Sequence, residues 1–127
     1  MTAMRWNAVC IDCTPDRFEQ TVAFYAGLLA LEVVDKEPQW AALRDPAGRM
    51  GINVQADDDY APPTWPAAPP KQTMMMHFEI QVPDVPAAVE QATALGATEA
   101  GWQPPDRDPG LLRVMVDPTG HPFCLWS

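Results

Sequence analysis

Apolar and polar residues alternate along several short stretches of the chain and recur at helical spacing along two longer ones. Val9, Ile11 and Cys13 alternate with Ala8, Cys10 and Asp12, the period of a strand with one apolar and one mixed face. Thr14-Pro15 then offers an N-cap followed by proline at the first helical position, and Phe18, Val22, Tyr25 and Leu29 fall on one side of a helix. Residues 31–34, 40–44 and 52–55 predict three strands, with a turn at Asp45-Pro46-Ala47-Gly48.

The second half repeats this order. Phe78, Ile80 and Val82 alternate with His77, Glu79 and Gln81. Asp84 is placed to cap a helix with an apolar stripe of Val85, Val89, Ala92 and Leu95, closed by Gly96 where a left-handed residue is wanted. Residues 97–103, 111–116 and 123–126 predict strands, the last two joined by Asp117-Pro118-Thr119-Gly120. Strand, helix and three strands, written twice, give an α+β chain of two βαβββ modules.

Between the halves lie Asp57, Asp58 and Asp59 and then Pro62, Pro63, Pro66, Pro69 and Pro70. Each proline removes an N–H donor, so this stretch suits neither a helix interior nor a central strand. It predicts a linker over residues 57–73, with module one at 1–56 and module two at 74–127 of a single domain.

Composition narrows the partners. Seventeen acidic against eight basic residues give a formal charge of -9, which disfavours nucleic acid and anionic membrane surfaces. No window reaches the ~20 apolar residues of a membrane span. The stretch before Cys10 is broken by Arg5, Trp6 and Asn7 where a signal peptide needs an apolar run, and three cysteines cannot all pair, so a reducing, cytoplasmic setting is expected. Cys10-Ile11-Asp12-Cys13 matches C-x-x-C, but residues three apart in a strand point to opposite faces, which assigns Cys13 to the core and Cys10 to the open face.

Residues 24–33, Phe-Tyr-Ala-Gly-Leu-Leu-Ala-Leu-Glu-Val, closely resemble the helix-to-strand junction of the vicinal oxygen chelate superfamily, which includes glyoxalase I, extradiol dioxygenases, fosfomycin-modifying enzymes and bleomycin-resistance proteins. His77 to Asp84 and Asp117 to Leu125 resemble the same superfamily's second module. The resemblance implies a cupped mixed sheet with helices on its convex side, and a homodimer in which Trp65 or Trp6 reaches the partner chain. The superfamily usually has glycine where this chain has Ala30, so the first helix is expected to end differently, using Gly27.

The resemblance further implies two metal ligands per module, from its first and last strands. Those positions fall on Ala8 and His77, and on Cys124 and either Ile52 or Asn53, the choice depending on a one-residue bulge at 49–51. Ala8 offers no donor, and an amide beside a thiol is a chemically mismatched pair. No resident metal is therefore expected. His77 and Glu79 are the weak candidates, and a divalent ion through non-standard positions stays open.

No catalytic residue is assigned. Asp12 and Glu79 share the open strand faces with Cys10, Asn53, His77, Cys124 and Trp126, and Trp40 and Trp102 add flat aromatic area. The expected function is that of a small-molecule-binding protein of the glyoxalase/bleomycin-resistance type. It would sequester an antibiotic or other toxic ligand, cationic and aromatic, in a concave cavity without catalysis. The alternative is a metal-dependent lyase, isomerase or dioxygenase of the glyoxalase-like group.

Overall fold

The computed structural model describes residues 2–127, and contacts divide the chain into one unit ending at Tyr60 and a second spanning Ala61–Ser127. Each unit is a βαβββ module with a four-stranded mixed sheet. In the first, β1 (Val9–Cys13) leads through a 3-10 turn, Pro15–Arg17, into α1 (Phe18–Leu28), then β2 (Glu32–Glu37), β3 (Trp40–Arg44) and β4 (Gly51–Ala56). In the second, β5 (Phe78–Gln81) leads into α2 (Val85–Ala94), then β6 (Thr98–Glu99), β7 (Leu112–Val116) and β8 (Pro122–Trp126). The strand orders β1-β4-β3-β2 and β5-β8-β7-β6 correspond, and in both the first and last strands run parallel side by side.

Burial follows the alternation. In the first unit α1 packs on β3 and β4, and Cys13, Leu43, Ile52, Val54, Phe24 and Tyr25 are fully enclosed. In the second, α2 packs on β6, β7 and β8, with Val85, Ala92, Met115, Phe123 and Leu125 buried. Every second strand residue therefore points away from the helix. Among the described residues no helix is long and apolar enough to cross a membrane.

The two helices close in the same way. Leu31 N–H donates to Ala26 C=O at 3.0 Å and Ala97 N–H to Ala92 C=O at 3.0 Å, the six-to-one bond of a Schellman motif. The left-handed residue inside it is Gly96 (φ 115°) in α2 and Ala30 (φ 52°) in α1. The expectation that α1 would stop at Gly27 is thus wrong. Burying Leu31 after the turn outweighs the roughly 1 kcal/mol that a left-handed alanine costs. Both Asp-Pro-x-Gly turns form, with Asp45 and Asp117 each accepting from the backbone N–H two residues on and Gly48 and Gly120 at positive φ.

Other boundaries move for identifiable reasons. Thr14 makes no side-chain cap, because the chain enters α1 through the 3-10 turn. Asp84 caps α2 as expected, accepting from Ala87 N–H at 3.0 Å. The second strand continues past Val34 to Glu37 by pairing with β3, and its charged residues, all exposed, suit a sheet edge. β3 and β4 pair from Arg44↔Gly51 to Trp40↔Gln55 without a shift, so no bulge interrupts the ladder at positions 52 and 53.

The strand predicted over 97–103 shrinks to Thr98–Glu99, and a side chain takes over its pairing. Gln103 Nε2 donates to Ala100 C=O (3.0 Å) and Val114 C=O (2.8 Å), while its Oε1 accepts from Val114 N–H (2.8 Å). The amide thus stands in for a peptide group alongside β7.

Two substitutions check these devices by chemical denaturation. Ala30→Gly should raise stability by roughly 0.5–1 kcal/mol through relief of the left-handed alanine. Gln103→Ala should lower it by about 1–3 kcal/mol, because Val114 N–H loses its acceptor. An Ala30→Gly chain no more stable than the parent would contradict the strain argument.

Candidate functional site

The face turned away from α1 carries every site residue predicted in the first unit. The register Cys10↔Asn53 and Asp12↔Gln55 between β1 and β4, with Trp40↔Gln55 and Ala42↔Asn53 between β3 and β4, puts Cys10, Asp12, Trp40 and Asn53 on one side. Two more polar residues stand there that the sequence reading passed over. Arg44 Nη1 donates to Asn53 Oδ1 at 2.9 Å, and Gln55 Oε1 accepts from Cys10 Sγ at 3.9 Å. Their signal was available, since Arg44 and Gln55 keep step with Trp40 and Asn53. Cys13 is buried and Cys10 exposed, so the two thiols of C-x-x-C point apart as expected. Burial, followed by the charge of Asp12, raises the Cys10 thiol above its ordinary pKa.

In the second unit the corresponding face holds His77, Glu79, Cys124 and Trp126, fixed by Glu79↔Cys124 and Gln81↔Trp126 between β5 and β8. The His77 imidazole lies with Nε2 2.6 Å from Glu79 Oε1. Ligand atoms of His77, Glu79 and Cys124 all lie within 4.8 Å of one another. Burial, and secondarily the Glu79 carboxylate, push the Cys124 thiol up to about 11.

The apolar part of this face is covered from within the unit. Ala100, Val114 and Cys124 form a small buried cluster, against which Trp65, Leu112 and Val116 pack. Trp65 comes from the proline-rich stretch, whose Thr64 N–H bonds Gln72 C=O. Its indole Nε1 donates to Trp102 C=O at 3.3 Å, and the two rings meet edge to face with centroids 5.9 Å apart. Trp65 is thus half-buried within its own unit, and Trp102 remains partly exposed beside it.

This unit has a partly open cavity of about 500 Å³ lined by Glu79, Asp106, Arg107, Asp108, Leu112 and Trp126, together with Leu111 and Ser127. The Trp126 indole N–H is buried without a hydrogen-bond partner. Asp106, Arg107 and Asp108 lie in the loop before β7 and carry no periodic signal, which is why sequence reading missed them.

The superfamily resemblance implies a divalent ion held by two ligands from each module. Ala8 stands one residue before β1 as His77 stands one before β5, and Asn53 opposes Cys10 as Cys124 opposes Glu79. The register thereby selects Asn53 over Ile52. Ala8 has no donor, and the Asn53 oxygen is already engaged by Arg44. A four-ligand set of that kind does not fit this chain.

The sequence matches the glyoxalase-like domain family over residues 8–126, and the chain belongs to that family. Among solved structures it is similar to a glyoxalase family protein from Enterococcus faecalis, with 19% identity, a TM-score of 0.67 and 97% of each chain covered. It is also similar to a glyoxalase/bleomycin resistance protein from Albidiferax ferrireducens T118, with 18% identity, a TM-score of 0.62, and 95% of this chain and 96% of that one covered. A third likeness is to a mutant of the fosfomycin resistance protein FosX from Listeria monocytogenes, complexed with Mn(II) and a dihydroxypropylphosphonic acid. There identity is 16%, the TM-score is 0.67, and 98% of this chain and 90% of that one are covered. At such identities the likeness establishes the shared fold alone. No curated protein matches the chain significantly.

The raised Cys124 pKa has a kinetic consequence. At pH 8 a thiol with pKa near 11 is thiolate in only roughly one part per thousand, so alkylation at Cys124 should lag far behind Cys10. Glu79→Gln removes the neighbouring negative charge and should shift the pH midpoint of Cys124 alkylation downward, read by peptide mass spectrometry. An unchanged midpoint would show that burial alone sets the thiol.

Proposed function

We propose that the protein binds a small cationic, partly aromatic molecule, of the antibiotic or toxin class, and holds it without transforming it. The observation that carries this reading is the cavity of about 500 Å³ on the open face of module two. Its size suits a drug-sized ligand. Three carboxylates, from Glu79, Asp106 and Asp108, line it against one guanidinium, from Arg107, which favours a positively charged ligand and disfavours an anionic phosphonate. Trp126 lines the cavity and supplies a flat face for stacking. The likeness to a glyoxalase/bleomycin resistance protein supports a ligand of the antibiotic class, the superfamily resemblance supports a homodimer, and the three unpaired cysteines support a cytoplasmic setting. In module two His77, Trp102 and Cys124 are further proposed ligand-facing residues, and on the open face of module one, taken by itself, Cys10, Asp12, Trp40 and Asn53 are proposed in the same role.

A second reading, a metal-dependent lyase, isomerase or dioxygenase, is favoured by the proximity of His77, Glu79 and Cys124. The two readings part on the fate of the ligand. Mass spectrometry after prolonged incubation should recover it unchanged if the protein sequesters it, and chemically altered if the protein is an enzyme.

Titration of cationic aromatic antibiotics, followed by tryptophan emission, should give saturable quenching with at least one compound. Trp126→Ala should then weaken binding by about 1–3 kcal/mol. A flat response across a broad panel, or unchanged affinity in the variant, would remove this cavity as the ligand site.

A further inference from the structure

Trp65 rests on the strand pair next to the one beneath the cavity. On the open face of module two Leu112 pairs with Trp126 and Val114 with Cys124, successive same-face pairs along β7 and β8. The first pair lines the cavity. The second, with Ala100, is the buried cluster on which Trp65 packs, and Leu112 packs on that cluster as well. Same-face residues two apart along a strand are separated by about 7 Å, the span of one phenyl ring. The indole therefore stands where a flat group extending from the cavity along these strands would lie. Its position is fixed from several sides. Its N–H donates to Trp102 C=O at 3.3 Å, and the Trp102 ring meets it edge to face. At the base of the segment the Thr64 N–H and hydroxyl both donate to Gln72 C=O, at 2.8 and 3.1 Å. Pro62 leans on Gly120, where a Cβ would lie 2.5 Å from Pro62 Cβ. A side chain held both at its backbone and at its ring acts as a wall.

We infer that Trp65 sets the length of ligand that the cavity accepts, by filling with the chain's own indole an apolar subsite for one further aromatic ring on Ala100, Val114 and Cys124. The inference rests on the reading of the cavity as a site for cationic aromatic molecules and adds its size limit. With the cation among the carboxylates of Glu79, Asp106 and Asp108, a single ring is accommodated against Leu112 and Trp126. A second ring in line meets the indole. It enters only by displacing Trp65, at the loss of the hydrogen bond and ring contact to Trp102 and of the packing on the cluster. The wall thereby separates short single-ring ammonium compounds from extended ones, a selectivity obtained by obstruction.

The test titrates the full chain by calorimetry with two amines, benzylammonium and 4-phenylbenzylammonium, the second longer by one ring in line. The parent should prefer the shorter. Trp65→Ala should raise the ratio of the longer amine's affinity to the shorter one's by about tenfold or more, through burial of the second ring on the vacated cluster. Trp65→Leu keeps an apolar contact on the cluster and should raise the ratio by less; it carries the test if circular dichroism shows that alanine loosens the fold. Trp126→Ala should weaken both amines in either background, and a gain in Trp65→Ala that survives it would lie elsewhere and overturn the inference. An unchanged ratio in a folded variant, or a parent that takes the longer amine as tightly as the shorter, overturns the inference and leaves the cavity reading in place. Failure of both amines to bind the parent and the variants overturns the cavity reading and the inference together.

Discussion

Parallel pairing of the first and last strands in each module is the constraint on which the rest depends. A strand that leaves its sheet through a helix and returns three strands later must bury one face under that helix, and strand alternation then delivers every second side chain to the other face. Through Cys10↔Asn53 and Glu79↔Cys124 this pairing decides which residues of distant sequence position stand side by side. One residue of slippage would send Cys13 outward and Cys10 into the core, so the fully enclosed Cys13, Val54, Leu125 and Phe123 hold the open-face geometry in register.

The two modules keep the same backbone devices and have drifted in chemistry. Each helix ends in the same six-to-one hydrogen bond, although one left-handed position is Gly96 and the other Ala30, and each last hairpin turns on an aspartate that accepts from its own backbone. Their open faces share little. The first carries an Arg44–Asn53 hydrogen bond and a Cys10–Gln55 contact, whereas the second carries His77 against Glu79 beside an apolar cluster roofed by Trp65.

What the sequence disclosed and what it hid divide along the same line. Alternation and helical spacing are imposed by burial, so β1, α1, β5 and α2 were readable from Ile11, Phe18, Val22, Ile80 and Ala92. The open-face positions Cys10, Glu79 and Cys124 followed from parity, whereas the choice between Ile52 and Asn53 needed the strand register. Contacts made by irregular segments have no period. Gln103 replacing a strand residue, Trp65 packing against the cluster of Ala100, Val114 and Cys124, and Asp106 to Asp108 bordering the cavity depend on where the loops run. Ala30 failed for another reason: a local preference of roughly 1 kcal/mol is smaller than the gain from burying the leucine after it.

The asymmetry between the faces explains how a family can keep one fold while its chemistry turns over. A residue such as Leu43 or Ile52, enclosed on all sides, costs about 2–5 kcal/mol to truncate, which is a large fraction of a small domain's stability. A half-exposed residue of the open face, such as Glu79 or Gln55, commonly changes stability by less than about 0.5 kcal/mol. Donors on the open face are therefore lost or gained almost independently of folding, and alanine at position 8 is no structural defect. The same freedom allows a carboxylate at 79 and a thiol at 124 to meet beside His77 in one module while the other settles into an arginine–amide contact. Which donors meet on an open face is therefore set module by module, by the strand register and the side chains it brings opposite one another.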